Sequence, residues 1–214
     1  MEISVKRSLD VLLSGIALIV LAPILFAVGI MVSMESPGGP LFRQVRVGRE
    51  RKRFRINKFR TMTVRADADL GSFDAGDEQR VTRIGAFLRA TKIDELPQLW
   101  NVLVGEMSLV GPRPEVPKWT EIHRERWDRI LADRPGLVDE ASLEFRHEQL
   151  LLAASDDPEA LYRDVILPRK LELSEAYARE RTFLIDLRLI LKTLWTLARR
   201  ATGSSAPDAG QSRP

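Results

Sequence analysis

The sequence predicts an α+β fold, mainly helical with a short β-hairpin, attached to an apolar N-terminal membrane helix. Three features predict it: an uncharged, mostly apolar run of 24 residues at 11–34, alternation of apolar and basic residues through 41–62, and apolar positions at helical spacing through 182–200. The chain divides into a membrane segment (1–36), a compact cytosolic domain (37–200) and a small polar tail (201–214) expected to be disordered. Of its 214 residues, about 165 remain for the domain, enough for one core.

At about 1.5 Å per residue, the apolar run reaches roughly 36 Å, enough to cross a hydrocarbon core of about 30 Å. Two features argue against a plain crossing. Pro23 has no N–H, so the Ile19 carbonyl loses its partner and the helix is expected to kink or break at Ala22–Pro23. The flanks are basic on both sides, with Lys6 and Arg7 before the run and Arg43, Arg46, Arg49 and further cations after it. Lys and Arg collect on the cytoplasmic side, so both ends read as cytoplasmic. A helix that enters and leaves by one leaflet satisfies both facts, with Ser14 or a water taking the freed carbonyl. A single-pass helix with a proline kink remains the alternative. The run is too long for a signal-peptide core.

No cysteine occurs, which excludes disulfides and thiol chemistry. His123 and His147 stand far apart and outside any zinc-ligand spacing. The net charge is only +3, but nine Lys or Arg and one acid, Glu50, fall between Arg43 and Arg60. Next to a membrane segment, such a block suits anionic lipid or a phosphate-bearing substrate. Nucleic acid is disfavoured, because Phe54 and Phe59 alone offer little for bases to stack on.

The elements follow in order. Val45, Val47, Phe54 and Ile56, spaced by two, give a hairpin turning near Gly48–Lys52. Residues 65–80 are acidic with glycines, hence a loop, and 81–90 form a short amphipathic helix. Residues 115–134 read as one helix carrying Trp119, Ile122, Trp127, Ile130 and Leu131. Residues 156–179 open with Asp157-Pro158, a helix start, and Pro168 is expected to break them. The segment 182–200 suits either a helix in the headgroup plane or a terminal helix packed on the core.

The densest chemistry lies in 89–116. Asp94 and Glu95 are adjacent acids before Leu96-Pro97, where a helix through Trp100–Val104 begins. Acids there are often only caps and dipole partners. The same place offers free N–H groups for phosphate and keeps a carboxylate ionised and nucleophilic. Arg89 lies five residues before Asp94, and Arg113 sits in the rigid turn Gly111-Pro112-Arg113-Pro114, suited to aim a guanidinium at phosphate.

The ordered motifs KRSLD (6–10), the apolar run with its central proline, KFRTM (58–62), RIGAFLRATKIDELPQLWNVL (83–103) and MSLVGPRPE (107–115) resemble the bacterial sugar transferase family of monotopic polyprenol-phosphate phosphoglycosyl transferases. The likeness spans roughly residues 3–137. It implies transfer of a sugar 1-phosphate from a UDP-sugar to undecaprenyl phosphate with release of UMP, at the cytoplasmic face of the bacterial inner membrane. This is the first step of a lipid-linked surface glycan. It implies Asp94 as the nucleophile of a covalent aspartyl-phosphosugar, and Glu95 as the residue that binds Mg²⁺ or orients the acceptor. Lys58, Arg60, Arg89 and Arg113 fall on basic motif positions near the phosphates, and Lys6, Arg7 and Asp10 at the membrane edge, where Asp10 is expected to pair with a domain arginine. The likeness also favours the re-entrant form. A homodimer is compatible with it.

Two departures stand out. The family commonly has Ser before the membrane proline, where this chain has Ala22. After Arg134-Pro135-Gly136-Leu137 the sequence resembles a subgroup with Ser142, Glu144 and Arg146, a segment expected to face the sugar. The rival reading is a non-enzymatic membrane adaptor whose basic hairpin binds anionic lipid. In that case the hairpin would matter and the Asp94-Glu95 pair would not.

Overall fold

The computed structural model describes residues 2–64 and 80–201. The expected acidic loop and the tail fall almost wholly outside them. Helix α1 (Glu2–Glu35) is one element that runs through Pro23. The expected break at Ala22–Pro23 therefore does not interrupt the helical assignment. Ser14 does not take the freed carbonyl: its hydroxyl donates backwards, to the carbonyls of Asp10 (2.6 Å) and Val11 (3.2 Å). The middle of α1 touches little, with Ile19, Val20 and Phe26 each more than half exposed.

Both ends of α1 pack on the same domain. Near its start, Arg7 donates to the carbonyls of Val102 (2.7 Å) and Leu103 (2.8 Å), and Asp10 accepts from the Leu109 N–H (3.0 Å). Lys6 donates to the Val110 carbonyl and to the Tyr177 hydroxyl, both at 3.0 Å, and pairs with Asp186 at 2.5 Å. Near its end, Val28 and Val32 pack with Phe59 and Leu88, and Glu35 accepts from the Ile84 N–H (3.0 Å).

The alternating segment forms the expected antiparallel hairpin, β1 (Leu41–Val47) with β2 (Arg53–Phe59), in the register Val45↔Arg55 and Arg43↔Asn57. Directly opposed residues share a face. Phe54, Ile56 and Lys58 therefore point one way, and Arg53, Arg55 and Asn57 the other. The turn puts Glu50 and Arg51 at positive φ (56° and 58°). It is tied down where the Glu50 N–H donates to the Leu131 carbonyl (2.7 Å) and Arg51 pairs with Asp128 (2.9 Å).

Helix α2 (Arg83–Thr91) is capped by Thr82, whose side chain accepts from the Gly85 N–H. Gly85 touches the backbone of Thr61 so closely that a Cβ there would lie 2.2 Å from the Thr61 carbonyl oxygen. Helix α3 (Gln98–Val104) follows, then β3 (Ser108–Val110), which pairs in parallel with the later β4 (Gly136–Val138). At the end of this pair the backbones of Gly111 and Gly136 are in contact, so that a Cβ on Gly136 would lie 2.0 Å from the Gly111 nitrogen.

The single helix expected over 115–134 is two: α4 (Pro117–Thr120) and α5 (Arg124–Ile130), separated by His123 at φ 58°. The Trp127 indole N–H takes the Trp119 carbonyl (3.0 Å), an acceptor that a continuous helix would have given to residue 123. Short helices α6 (Glu140–Glu144) and α7 (Glu148–Ala153) come next. Pro168 does not break its stretch. Helix α8 (Pro158–Leu161) passes through a π turn, Tyr162–Ile166, into α9 (Leu167–Glu180), and the wide turn, closed by the Leu167 N–H on the Tyr162 carbonyl, directly precedes Pro168. The core of Trp119, Trp127, Ile130, Leu152, Ile166 and Leu171 fills the space between α5 and α9. Helix α10 (Phe183–Ala201) closes the described chain. Of its apolar side chains Leu189 is buried, whereas Leu184, Leu187, Leu191, Leu194 and Trp195 are exposed. It packs on the domain along one side, through Leu189 and Asp186.

Candidate active site

Asp94 and Glu95 sit in a 3₁₀ turn (Ile93–Glu95) between α2 and α3. Two residues set that turn: Lys92 adopts the left-handed conformation that ends α2, and Pro97 is the cap of α3. No side chain caps α3, so the pair is not a set of capping acids. Both carboxylates are buried, each 8% exposed.

Glu95 is surrounded by cations. Arg113 grips it in fork geometry, Nη2 to Oε1 at 2.6 Å and Nη1 to Oε2 at 3.2 Å. Lys58 donates to Oε1 at 3.2 Å, and Lys92 approaches at 3.9 Å. Burial works against the Glu95 charge, but Arg113, Lys58 and Lys92 together hold its carboxyl well below the usual range. Arg113 is held protonated by the same contact. Lys58 is pushed down to about 8 by burial, only partly offset by Glu95.

Asp94 is the opposite case. Its Oδ1 is buried and has no hydrogen-bond partner among the described residues. Burial first, and then the Glu95 charge, push its carboxyl upward. A buried oxygen without a donor costs about 1–3 kcal/mol. The fold therefore keeps an unsatisfied oxygen beside a compact patch of positive charge.

Not every basic residue singled out by sequence joins this cluster. Lys58 and Arg113 do. Arg60 does not: its guanidinium turns to the α1–β1 link and donates to the carbonyls of Ser36 (2.8 Å), Gly38 (3.2 Å) and Pro37. Arg89 binds the Thr61 hydroxyl (2.8 Å) and reaches Gln149 on α7 (3.4 Å). Arg146 donates to its neighbour His147 (3.2 Å). Asp139 caps α6, its carboxylate accepting from the Ser142 N–H and hydroxyl, and Glu144 pairs with Arg169 at 2.7 Å. Asp10 accepts from the backbone N–H of Leu109, the central residue of β3, rather than from the expected arginine.

Sequence reasoning missed three participants. Asp139, buried and pushed upward by burial, adds to the field at Arg113. Glu115 is held down against burial by Arg46, Lys170 and the Tyr162 hydroxyl, which donates to it at 2.5 Å. Asn101, fully buried, accepts from the Asn57 backbone and side chain at 3.0 Å each and so fixes β2 against α3. The acid in the Pro-Arg-Pro-Glu run was a visible signal for Glu115. Its partner Tyr162, 47 residues later, was not.

The chain is 33% identical over 198 residues to the UDP-N-acetylgalactosamine-undecaprenyl-phosphate N-acetylgalactosaminephosphotransferase of Aeromonas hydrophila, covering 90% of this chain and 43% of that protein. It is 45% identical over 137 residues to the UDP-glucose:undecaprenyl-phosphate glucose-1-phosphate transferase of Caulobacter vibrioides, covering 62% and 51%. It is 34% identical over 194 residues to the protein of the same description from Klebsiella pneumoniae, covering 89% and 39%. The chain thus spans about two fifths to one half of the length of these relatives. The model of one family, described as bacterial sugar transferase, matches residues 1–200, so the chain belongs to the bacterial sugar transferase family.

Proposed function

We propose that the protein transfers a sugar 1-phosphate from a UDP-sugar to undecaprenyl phosphate, releasing UMP, and so makes the first lipid-linked intermediate of a surface glycan. The observation that carries this is the unpartnered, buried Oδ1 of Asp94 beside the Glu95–Arg113–Lys58 cluster. An adaptor has no use for such a costly arrangement. A nucleophile does, because an oxygen without hydrogen bonds is free to attack.

In the first step the Asp94 carboxylate attacks the sugar-bearing phosphorus. A phosphorus–oxygen bond forms to Asp94, and the bond to UMP breaks, UMP leaving with its electron pair. In the second step an oxygen of undecaprenyl phosphate attacks the same phosphorus. The acyl-phosphate bond breaks and Asp94 is a carboxylate again. Arg113 and Lys58 spread the charge on the reacting phosphoryl oxygens. Glu95 holds both cations in place and keeps them from being displaced by bulk anions.

Magnesium is commonly held by one or two carboxylates together with substrate phosphates; Asp94 and Glu95 supply hard oxygens of that type, and those of Glu95 accept from Arg113 and Lys58. Glu95 is the residue that would hold it, and the ion would neutralise charge on the departing nucleotide.

The attachment of both ends of α1 to one domain supports a re-entrant α1 at the cytoplasmic face. A straight helix of 34 residues is about 51 Å long, yet both its ends bond to one domain. A helix whose two ends meet the same water-side body returns to the leaflet it entered. The exposed middle, Ile19, Val20 and Phe26, then lies in hydrocarbon. The exposed face of α10, with Leu187, Leu191, Leu194 and Trp195, suits the headgroup plane.

UMP release from a panel of UDP-sugars, with and without Mg²⁺, tests the activity and identifies the donor. Incubation with the donor alone is expected to add the mass of one phosphosugar to Asp94. Confirmed turnover with no adduct on Asp94 would exclude the covalent route.

A further inference from the structure

The face of the hairpin turned away from the catalytic cluster borders a groove of about 980 Å³. Helix α1 contributes Phe26, Ile30 and Met34 to its wall, on the far side of Pro23, and α3 contributes Trp100 and Val104. Its polar border is cationic on the hairpin side, where Arg43 and Arg55 are exposed. Among the described residues Arg43 is bonded only through Nε, to Asn57 at 3.2 Å. The Arg55 side chain has no hydrogen-bond or ion-pair partner among the described residues. Glu106 also lines the groove; it accepts at 2.6 Å from the Asn101 side-chain nitrogen, which also donates to the Arg55 carbonyl at 2.8 Å. An apolar trough continuous with the membrane face of α1, with two available guanidiniums at one edge, matches a molecule with hydrocarbon chains and an anionic head.

We propose that this groove holds an anionic bilayer phospholipid, its phosphate between Arg43 and Arg55 and a chain along α1 and Trp100. The inference rests on the reading of α1 as embedded in a leaflet and adds a lipid site separate from catalysis. The strand itself argues for that separation. Arg55 and Asn57 face the groove while Lys58 faces Glu95, so a phosphate on Arg43 and Arg55 lies across β2 from the phosphate-handling cluster. The acceptor must reach Asp94 and does not fit this position. An uncharged apolar partner surface would leave both guanidiniums unmatched. Retaining a lipid here would wedge α1 against the hairpin without occupying the substrate path.

The test uses the full chain in nanodiscs of phosphatidylcholine with added phosphatidylglycerol, followed by native mass spectrometry of the released protein. The wild type is expected to retain phosphatidylglycerol. Arg43→Gln/Arg55→Gln, both at exposed positions, is expected to lose that retention at least tenfold, and Val104→Glu, which places a negative charge on the wall, to lose it as well. Equal retention by wild type and the double variant overturns the proposal. So does displacement of phosphatidylglycerol by undecaprenyl phosphate together with a several-fold rise in the acceptor KM of the double variant, which makes the groove the acceptor site. A mass of two chains with no lipid would instead make it a dimer contact. Flotation with pure phosphatidylcholine vesicles separates the two layers of the argument, since loss of flotation refutes the embedded helix itself, whereas flotation with no lipid retained refutes only the site.

Discussion

Two neighbouring carboxylates hold their protons on opposite terms. Glu95 is kept ionised by three cations, while Asp94 is pushed toward its protonated form by burial and by Glu95. Asp94→Asn is expected to lower UMP release by about 10⁴-fold or more, and Glu95→Gln by about 10²-fold or more, each read in the UMP assay. Lys58 gives the alkaline limit. Its folded pKa of about 8 lies below the ordinary 10.5, so the folded protein disfavours its charge. A diphosphate donor favours that charge, so donor affinity is expected to fall as pH rises through about 8, measured as donor KM against pH. In Glu95→Gln, Lys58 loses its carboxylate and keeps the repulsion of Arg113, so this limb moves to lower pH. Of the basic residues singled out in the sequence, Lys58 and Arg113 lie at the acidic pair, and Arg60, Arg89 and Arg146 bond elsewhere. The Asp94-Glu95 pair and Arg113 could be read because their chemistry is carried by side chains in rigid local turns. The partner of Asp10 could not, because a backbone N–H leaves no mark in a sequence.

At the level of elements, Arg60 acts as a clamp on the α1–β1 link rather than as a substrate contact. Arg60→Met is expected to destabilise the fold by roughly 1.5–3 kcal/mol, because charged hydrogen bonds to three carbonyls are lost. Thermal melting checks this. Gly136→Ala is expected to be worse, since the parallel strands have no room for a Cβ against Gly111, whereas Gly39→Ala meets nothing within 4 Å and is expected to be neutral. Leu191→Glu/Trp195→Glu tests α10. Both side chains are exposed, so weaker vesicle binding with an unchanged melting temperature is expected. The hairpin was legible because its alternation has the strand period. The split of α4 from α5 was not, because a tertiary choice made it: the Trp127 indole takes a carbonyl that local propensity assigns to a helix. The β3–β4 pair was hidden too, since three-residue strands 26 positions apart have no periodicity to read.

At the scale of the whole molecule, the knot of Lys6, Tyr177, Asp186 and the Val110 carbonyl joins both extremes of the described chain to β3, which leads into Arg113. Tyr177 is pushed upward by burial and Asp186, so its hydroxyl stays a donor at any working pH. Labels near position 5 and on α2 are expected to react from the same side of a sealed vesicle. Labelling from opposite sides would mean that α1 crosses.

These attachment points also impose an order in time. A ribosome completes Phe59 and Leu88 first, then Val102 and Leu103, then Leu109, and Asp186 last. The far end of α1 can therefore dock before its near end, and Lys6 waits longest for its counter-ion. At about 5–20 residues per second, this wait lasts several seconds or more. A nascent chain halted before Asp186 is expected to leave the segment around Lys6 open to protease, and one released after it to resist cleavage there.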